Sequence, residues 1–170
     1  TYPWLVPEKQ LVRDTIAQRK PVLGVCLGSQ MIASAMGSAI YQAREKEIGW
    51  LRVRRVTTEG LGAILPDSFT PLHWHGETFD LPHGARRLAE SEIVPNQAFQ
   101  IGTHCVGLQF HLEATPSTVA DLIEGCGHEI GEGAYQQRAE VIALCEDHCL
   151  AAHAILDRLL DEMTGRVSPT

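Results

Sequence analysis

Several features that would assign the protein to a class at once are missing from its 170 residues. No run reaches the roughly 18 apolar residues that a membrane-spanning helix needs, so no membrane span is expected. Basic residues do not dominate, because 14 Lys and Arg stand against 21 Asp and Glu, a net charge of −7. This balance argues against nucleic acid as a partner. There is no internal repeat, no low-complexity tract and no phosphate-binding glycine-rich loop with lysine.

Cysteine is present but not in a disulfide pattern. The chain has five cysteines, an odd number without regular spacing, which does not predict a disulfide framework at this length. A reducing compartment, the cytoplasm, is therefore the expected location. A 44% hydrophobic composition is enough for one compact core.

Two groups of residues have spacings that suggest a metal site, and neither is predicted to be one. Cys145, Cys149 and His153 recur every four residues in a predicted helix, with Cys126 and His128 upstream. Apolar residues share that helix face, so the cysteines are expected to pack as small hydrophobic side chains. A second group, His73 and His75, has period-two spacing, but no nearby acid or third histidine completes a ligand set. A wall of a pocket is the expected role for this pair, and no cofactor or metal is predicted.

The most informative segment surrounds Cys26. It reads Gly24-Val25-Cys26-Leu27-Gly28-Ser29-Gln30, and it joins an apolar run, Pro21 to Val25, to a helix-like segment, Ser29 to Met36. A residue on a sharp strand-to-helix turn needs very small neighbours, a requirement that Gly24 and Gly28 are predicted to meet. The following helix directs unpaired N–H groups and its positive dipole end toward the sulfur, which favours the thiolate. The pattern predicts a reactive cysteine.

A second segment, 85 positions later, supplies a base and an acid. Val106 to Phe110 reads as a buried strand and ends in His111-Leu112-Glu113. Residues two apart in an extended segment face the same side, so Glu113 is expected to orient the imidazole of His111. Cysteine, histidine and an orienting carboxylate form the set required for acyl transfer through a thioester.

These two motifs resemble those of the class I (triad) glutamine amidotransferases. The resemblance runs from about Tyr2 to Thr118, and three further segments match the free-standing, GMP-synthase-like members in the same order. They are Lys46-Glu47-Ile48-Gly49-Trp50, His73-Trp74-His75-Gly76-Glu77-Thr78-Phe79 and Asn96-Gln97-Ala98-Phe99. The resemblance implies a flavodoxin-like three-layer α/β fold, with a mostly parallel central sheet and helices on both faces. Residues 1–170 would form one domain of this type.

The resemblance also implies roles for individual residues. Cys26 would be the nucleophile, His111 the general base and acid, and Glu113 its orienting partner. The Leu27 amide would donate to the oxyanion, Gln30 would help hold the substrate glutamine, and Gly76 would lie beside it. His75 belongs to the same predicted substrate-binding group. Glutamine would be hydrolysed to glutamate and ammonia, and a synthase partner in trans would supply the acceptor.

Two departures from the family pattern are visible. Leu112 stands where many relatives have proline, which leaves the period-two geometry intact. The chain also begins at Thr1, without the opening strand–helix–strand portion whose Gly-Gly-Pro turn supplies a second oxyanion donor in the family. We therefore expect an N-terminally truncated domain with an unpaired strand. Losing one donor lowers the rate about a hundredfold to a thousandfold.

The secondary structure expected from the pattern has four helical and several strand regions. Helices are predicted over Pro7 to Arg19, Ser29 to Met36, from Pro116 to about Gly125, and over Ala134 to Met163, with a loop from Gly125 to Gly133. Strands are predicted at Pro21–Val25, Ser38–Gln42, Gly49–Thr57, Pro71–Trp74, Arg87–Ser91, Ala98–Ile101 and Cys105–Phe110.

Two alternative functions fit the same residues. A γ-glutamyl hydrolase acting on γ-glutamyl amines or peptides would use the same thioester chemistry in a wider pocket. A non-catalytic interaction module would keep the three residues without a complete oxyanion hole.

Overall fold

The computed structural model describes residues 3–165, so Tyr2, where the family resemblance begins, lies outside the described part. The helices in this range are α1 (Leu5–Ala17), α2 (Leu27–Ala35), α3 (Pro116–Cys126), α4 (Ala139–Ile142) and α5 (Glu146–Thr164). The strands are β1 (Val22–Val25), β2 (Ile40–Trp50), β3 (Val53–Arg55), β4 (Ser68–Phe69), β5 (Leu72–Phe79), β6 (Arg86–Glu90), β7 (Ala98–Ile101) and β8 (Cys105–Leu108). None of the helices described is long and apolar enough to cross a membrane.

Among the described residues, six strands form the central sheet, in the order β1-β8-β7-β6-β3-β4. The pair β1 and β8 is parallel, and Gly24 lies opposite Gly107. The other neighbours in this sheet run antiparallel. The expected parallel pairing thus holds at the end of the sheet that carries Cys26, while the rest of the described sheet is antiparallel. Short connections explain this, because the few residues between β7 and β8 allow only an antiparallel return.

Helices cover both faces of the sheet, as predicted. On one face, Ala152, Ile155 and Leu159 of α5 pack against a core that includes Val106 and Leu108 of β8. On the other face, a second core joins Ile16 of α1 and Ile32 of α2 to Phe99, Phe79 and Cys105. Successive residues of a strand point to opposite faces, which places Cys105 and Val106 in different cores. The three-layer α/β arrangement is confirmed.

A separate two-stranded sheet, β2 with β5, corrects two of the predicted strands. The predicted strands Ser38–Gln42 and Gly49–Thr57 are replaced by one long strand, β2, followed by the short strand β3. Strand β2 pairs with β5 on both sides of a bulge between Gln42 and Glu47. A bulge lets a strand continue through polar residues that do not follow a period-two pattern, so the sequence showed a gap where the strand is continuous.

The predicted C-terminal helix, Ala134 to Met163, is broken in the structure. Residues 135–137 run beside β2 instead: the Ile48 amide donates to the Tyr135 carbonyl at 3.0 Å, and the Gln137 amide donates to the Ile48 carbonyl at 2.8 Å. The Gln137 side chain also bonds both the amide and the carbonyl of Trp50, at 2.8 and 2.9 Å. These contacts hold the segment extended, so the helix is replaced by α4 and α5.

Candidate active site

Cys26 lies on the turn between β1 and α2, in a backbone conformation that few side chains adopt. Its φ is 48° and its ψ is −107°. The Cys26 amide donates to the Leu108 carbonyl at 2.7 Å, which ties the turn to the end of β8. A non-glycine residue held at positive φ costs about 1–3 kcal/mol, and such strain is concentrated at functional sites. The predicted strand–turn–helix arrangement around Cys26 is confirmed.

The two glycines that flank the turn differ in what surrounds them. A Cβ at Gly24 would lie 2.5 Å from the Gly28 carbonyl oxygen and 2.5 Å from Cδ1 of Ile32, so the strand and the helix leave no room there. A Cβ at Gly28 would meet no described atom within 4 Å. The requirement for a small residue is therefore confirmed at Gly24. At Gly28 the prediction is wrong for the part of the chain described, because that side of α2 faces open space.

The first turn of α2 surrounds the Cys26 carbonyl with donors. The Ser29 amide, the Gln30 amide and the Ser29 hydroxyl donate to it at 3.0, 3.2 and 2.7 Å. None of these three bonds uses the Leu27 amide, which lies at the turn itself. The Leu27 side chain is 70% exposed. Helix α2 thus begins directly after Cys26, and its N-terminus lies beside the sulfur, as the sequence predicts.

Two groups approach the Cys26 sulfur from other elements. The Trp74 carbonyl of β5 lies 3.9 Å from Sγ, and the Gln109 side-chain amide lies 3.8 Å from it. Gln109 follows β8 directly and is completely buried. The thiol is partly exposed, so it is held by the fold on one side and accessible on the other.

His111 and Glu113 form a close pair just beyond β8. Nδ1 of His111 and Oε1 of Glu113 are 2.6 Å apart, with 22% and 47% of the two side chains exposed. Between them Leu112 is fully buried, which fixes the opposite orientation of its two neighbours. The His111 amide donates to the Leu72 carbonyl of β5 at 2.8 Å. The predicted same-side placement of the imidazole and the carboxylate is confirmed.

Electrostatics favour a charged imidazole at this position. Burial would lower the pKa of His111, but hydrogen bonds with Cys26 and Glu113, together with their negative charges, raise it to about 9. Burial likewise opposes ionisation of Glu113, whereas the bond and charge of His111 and nearby backbone amides lower the pKa of that carboxyl. The thiol, the imidazole and the carboxylate are therefore electrostatically coupled in series.

The residues predicted to bind substrate have different surroundings in the structure. Gln30 is buried, and its amide nitrogen donates to the Glu77 carbonyl at 3.5 Å and to Gln109 Oε1 at 3.4 Å. Gly76 is partly exposed and lies against the Lys46 side chain. His75 turns inward, where Nδ1 bonds the Glu77 carbonyl at 3.2 Å. Its other ring nitrogen lies 3.2 Å from Glu47.

Glu47 lies beside His73 and His75, although the sequence pattern did not predict this. The expectation that no acid accompanies the two histidines is wrong, because β2 pairs with β5 and places Glu47 opposite His75. Among the described residues, Glu47, His73 and His75 are the group whose ligand atoms converge closely enough for a metal ion. Burial lowers the pKa of His73 to about 3, which keeps that ring neutral. The sequence does show Glu47, in the segment from Lys46 to Trp50. Only the register between β2 and β5 shows that Glu47 lies beside the two histidines.

Two cysteines of the C-terminal helical region pack as small hydrophobic side chains, as expected. Cys145 and Cys149 are buried in a core that also contains Trp50 and Ile142. Burial raises the pKa of Cys105 to about 12, and burial together with Cys145 raises the pKa of Cys149 to about 11. All five thiols are free. Cys105 and Cys149 are therefore poorly placed to react.

Comparison with known proteins identifies the family. The model of the class-I glutamine amidotransferase family matches residues 4–126. The chain belongs to this family. It is 39% identical over 129 residues to the glutamine amidotransferase-like protein YfeJ of Salmonella typhimurium, a match that covers 74% of this chain and 54% of YfeJ. It is 31% identical over 119 residues to a glutamine-hydrolysing GMP synthase subunit from Methanococcus vannielii, covering 66% and 63% of the two chains. This glutamine amidotransferase chain thus spans about half to two thirds of these relatives.

A third relative and two solved structures complete the comparison. Gamma-glutamyl peptidase 5 of Arabidopsis thaliana is 27% identical over 128 residues, covering 71% of this chain and 51% of the peptidase. A glutamine amidotransferase structure from Thermotoga maritima superposes with a TM-score of 0.85 at 36% identity, covering 95% of this chain and 70% of that one. A glutamine amidotransferase structure from Methylobacillus flagellatus superposes with a TM-score of 0.90 at 28% identity, covering 100% of this chain and 72% of that one. The flavodoxin-like fold class is confirmed.

Proposed function

We propose that this chain carries the glutamine-hydrolysing site of a class-I glutamine amidotransferase. The observation that carries the proposal is the strained turn at Cys26 beside the His111–Glu113 pair, whose ring nitrogen and carboxylate oxygen are 2.6 Å apart. Membership of the family supports hydrolysis of the glutamine amide in general. The geometry and chemistry of the three residues support the roles proposed for them.

In the proposed reaction, His111 holds the proton of the Cys26 thiol as an imidazolium, and the Cys26 thiolate attacks the carboxamide carbon of glutamine. The oxyanion that forms accepts a hydrogen bond from the Leu27 amide at the start of α2. Collapse of this intermediate breaks the C–N bond, and His111 returns its proton to the departing nitrogen, which leaves as ammonia. Water, deprotonated by His111, then attacks the thioester and releases glutamate.

Glu113 stabilises the imidazolium and fixes the ring so that the nitrogen facing Cys26 is Nε2. Its bond to Nδ1 requires a proton on Nδ1, which leaves Nε2 to accept the thiol proton. Gln30 and Gly76 are proposed to form part of the wall that holds the substrate. Gln30 donates a hydrogen bond to Gln109, and the Gln109 side-chain amide in turn lies beside the Cys26 sulfur. Gln30 is therefore proposed to hold Gln109 in place.

The ammonia released is proposed to serve a synthase partner. One of the relatives is named as a single subunit of GMP synthase, and a protein so named works beside another component, which supports an acceptor enzyme in trans. The five free thiols support a reducing location such as the cytoplasm.

A direct assay is release of glutamate and ammonia from glutamine by the purified chain. We expect Cys26→Ala and His111→Ala to abolish release, because the first removes the nucleophile and the second removes the proton carrier. The matched control is Cys126→Ala, which removes another partly exposed cysteine far along the sequence and should leave the rate unchanged. Release by Cys26→Ala at the unmutated rate would contradict the proposal.

A second candidate is hydrolysis of γ-glutamyl peptides or amines. It is favoured by the similarity to gamma-glutamyl peptidase 5 and uses the same three residues. Rates on glutamine and on a γ-glutamyl anilide distinguish the two candidates, and preference for the anilide would favour the peptidase function. Partner binding by Cys26→Ala, with no turnover by the unmutated chain on either substrate, would instead indicate a non-catalytic module.

A further inference from the structure

Glu47, His73 and His75 form a compact buried group, called here the Glu-His-His cluster. Oε2 of Glu47 lies 3.2 Å from Nε2 of His75 and 3.8 Å from Nδ1 of His73. The two imidazole nitrogens are 3.3 Å apart. The side chains of Glu47, His75 and His73 are 1%, 2% and 0% exposed, so water does not solvate them as it would at the surface.

The hydrogen bonds around the cluster direct lone pairs inward. Nδ1 of His75 lies 3.2 Å from the Glu77 carbonyl, an acceptor, so Nδ1 carries a proton. A neutral His75 then presents the lone pair of Nε2 to a carboxylate oxygen, which also has only lone pairs to offer. Two such atoms 3.2 Å apart repel unless a positive species lies between them. A proton on Nε2 of His75 can form a hydrogen bond with either Glu47 Oε2 or His73 Nδ1, but not with both. A metal ion accepts lone pairs from all three atoms.

The separations fit a tetrahedral metal ion. Nitrogen and oxygen ligands lie about 2.0–2.2 Å from zinc, so two ligand atoms of a tetrahedron are roughly 3.3–3.6 Å apart. The three separations in the cluster, 3.2, 3.3 and 3.8 Å, bracket this range. Two histidines and one glutamate are also a donor set known for zinc, with a fourth position left for water.

Neighbouring groups hold the ligands in place. The Gln97 side-chain amide donates to Glu47 Oε2 at 2.6 Å and to the Ser91 hydroxyl at 3.1 Å. The Glu77 carbonyl fixes the tautomer of His75. Such outer contacts orient ligands in metal sites and typically change metal affinity by about 10–100-fold when removed. Glu47 also lines a surface cavity with Arg52, Glu92 and Tyr135.

We propose that the Glu-His-His cluster binds one divalent transition-metal ion, with zinc as the probe. The ion would act on the fold of the site rather than on the reacting atoms. His73 and His75 flank Trp74 on β5, and the Trp74 carbonyl lies 3.9 Å from the Cys26 sulfur. The carbonyl of Leu72, just before His73, accepts the His111 amide. A metal joining β2 to β5 would therefore fix the strand that contacts both Cys26 and His111.

The test is metal content of the full chain after incubation with zinc and removal of free ions. Cys26→Ala serves as the background protein, because a thiol beside His111 is itself a zinc ligand. We expect about one zinc per chain in this background, and at least a tenfold loss when Glu47→Gln or His75→Gln is added. Cys149→Ala, a matched change in another buried candidate ligand, should keep the zinc. Gln97→Leu should weaken zinc binding about 10–100-fold.

A measurement on the background protein alone guards against variants that do not fold. X-ray absorption of its zinc should show nitrogen and oxygen neighbours with two imidazoles and no sulfur. Absence of zinc from the folded background protein, sulfur in its coordination shell, or full zinc content in both folded Glu47→Gln and His75→Gln would overturn the proposal.

Discussion

Replacing Gly24 by alanine tests the packing that shapes the turn at Cys26. The added Cβ would lie 2.5 Å from the Gly28 carbonyl oxygen, about 0.9 Å inside the 3.4 Å at which ordinary contact begins. The Ile32 methyl, also at 2.5 Å, can rotate away, but the Gly28 oxygen belongs to the backbone of α2 and moves only with the helix. Strand and helix must therefore separate.

The expected loss of stability is about 3 kcal/mol or more, the upper part of the range for overpacking, because backbone has to shift. For a chain of this size that loss lowers Tm by roughly 6–12 °C. Gly28→Ala is the matched control, since its Cβ meets nothing within 4 Å. It lies in a helix, where alanine is favoured over glycine by about 0.5–1 kcal/mol.

Guanidinium unfolding of the two variants and the unmutated chain measures both effects, with equal m values required for the comparison. Glutamine hydrolysis by the same samples reports the turn itself, and Gly24→Ala should lose activity because Cys26 is displaced. A Gly24→Ala protein within about 1 kcal/mol of Gly28→Ala would refute the packing argument.

Four further predictions concern the site and its support. The pKa of His111, measured by NMR titration, should be near 9 and should fall in Glu113→Gln, because a bond and a negative charge are lost; an unchanged value would disprove the coupling. Because the pKa of His111 is raised in the folded state, protonation of His111 should stabilise the folded chain fully below about pH 6.5, and this stabilisation should disappear as the pH rises through about 9. Denaturation of the unmutated chain across this pH range measures the effect. The same measurement on Glu113→Gln should show a weaker pH dependence. Glu113→Ala should lower the rate of glutamine hydrolysis less than His111→Ala, because it removes orientation and not the proton carrier; the reverse order would contradict the assigned roles. Gln137→Ala should destabilise the chain by about 1–3 kcal/mol, because two hydrogen bonds to the Trp50 backbone are lost, and calorimetry showing no change would contradict this.

Local pattern was sufficient to predict the elements that carry the site. Gly24 before Cys26 and the alternation of His111 with Glu113 both act through residues close in the chain, so their geometry follows from the sequence. Strand β7 and the strand that ends before His111 were located by the same reasoning, with β8 ending two residues earlier than expected.

Contacts between distant segments could not be predicted in this way. The Glu-His-His cluster depends on the register between β2 and β5, including a bulge that no local pattern reveals. The extended segment before α4 depends on Gln137, which bonds Trp50 from 87 positions away. The open space at Gly28 likewise depends on which segments pack against α2. In each case the deciding partner is distant in sequence.

The most direct test of the proposed function is covalent labelling by a glutamine-shaped electrophile, followed by intact-mass analysis and peptide mapping. One label per chain at Cys26, prevented by excess glutamine and absent from Cys26→Ala, is the predicted result. Labelling spread over all five cysteines, or none at Cys26 in the folded protein, would contradict the claim that this turn forms a glutamine site.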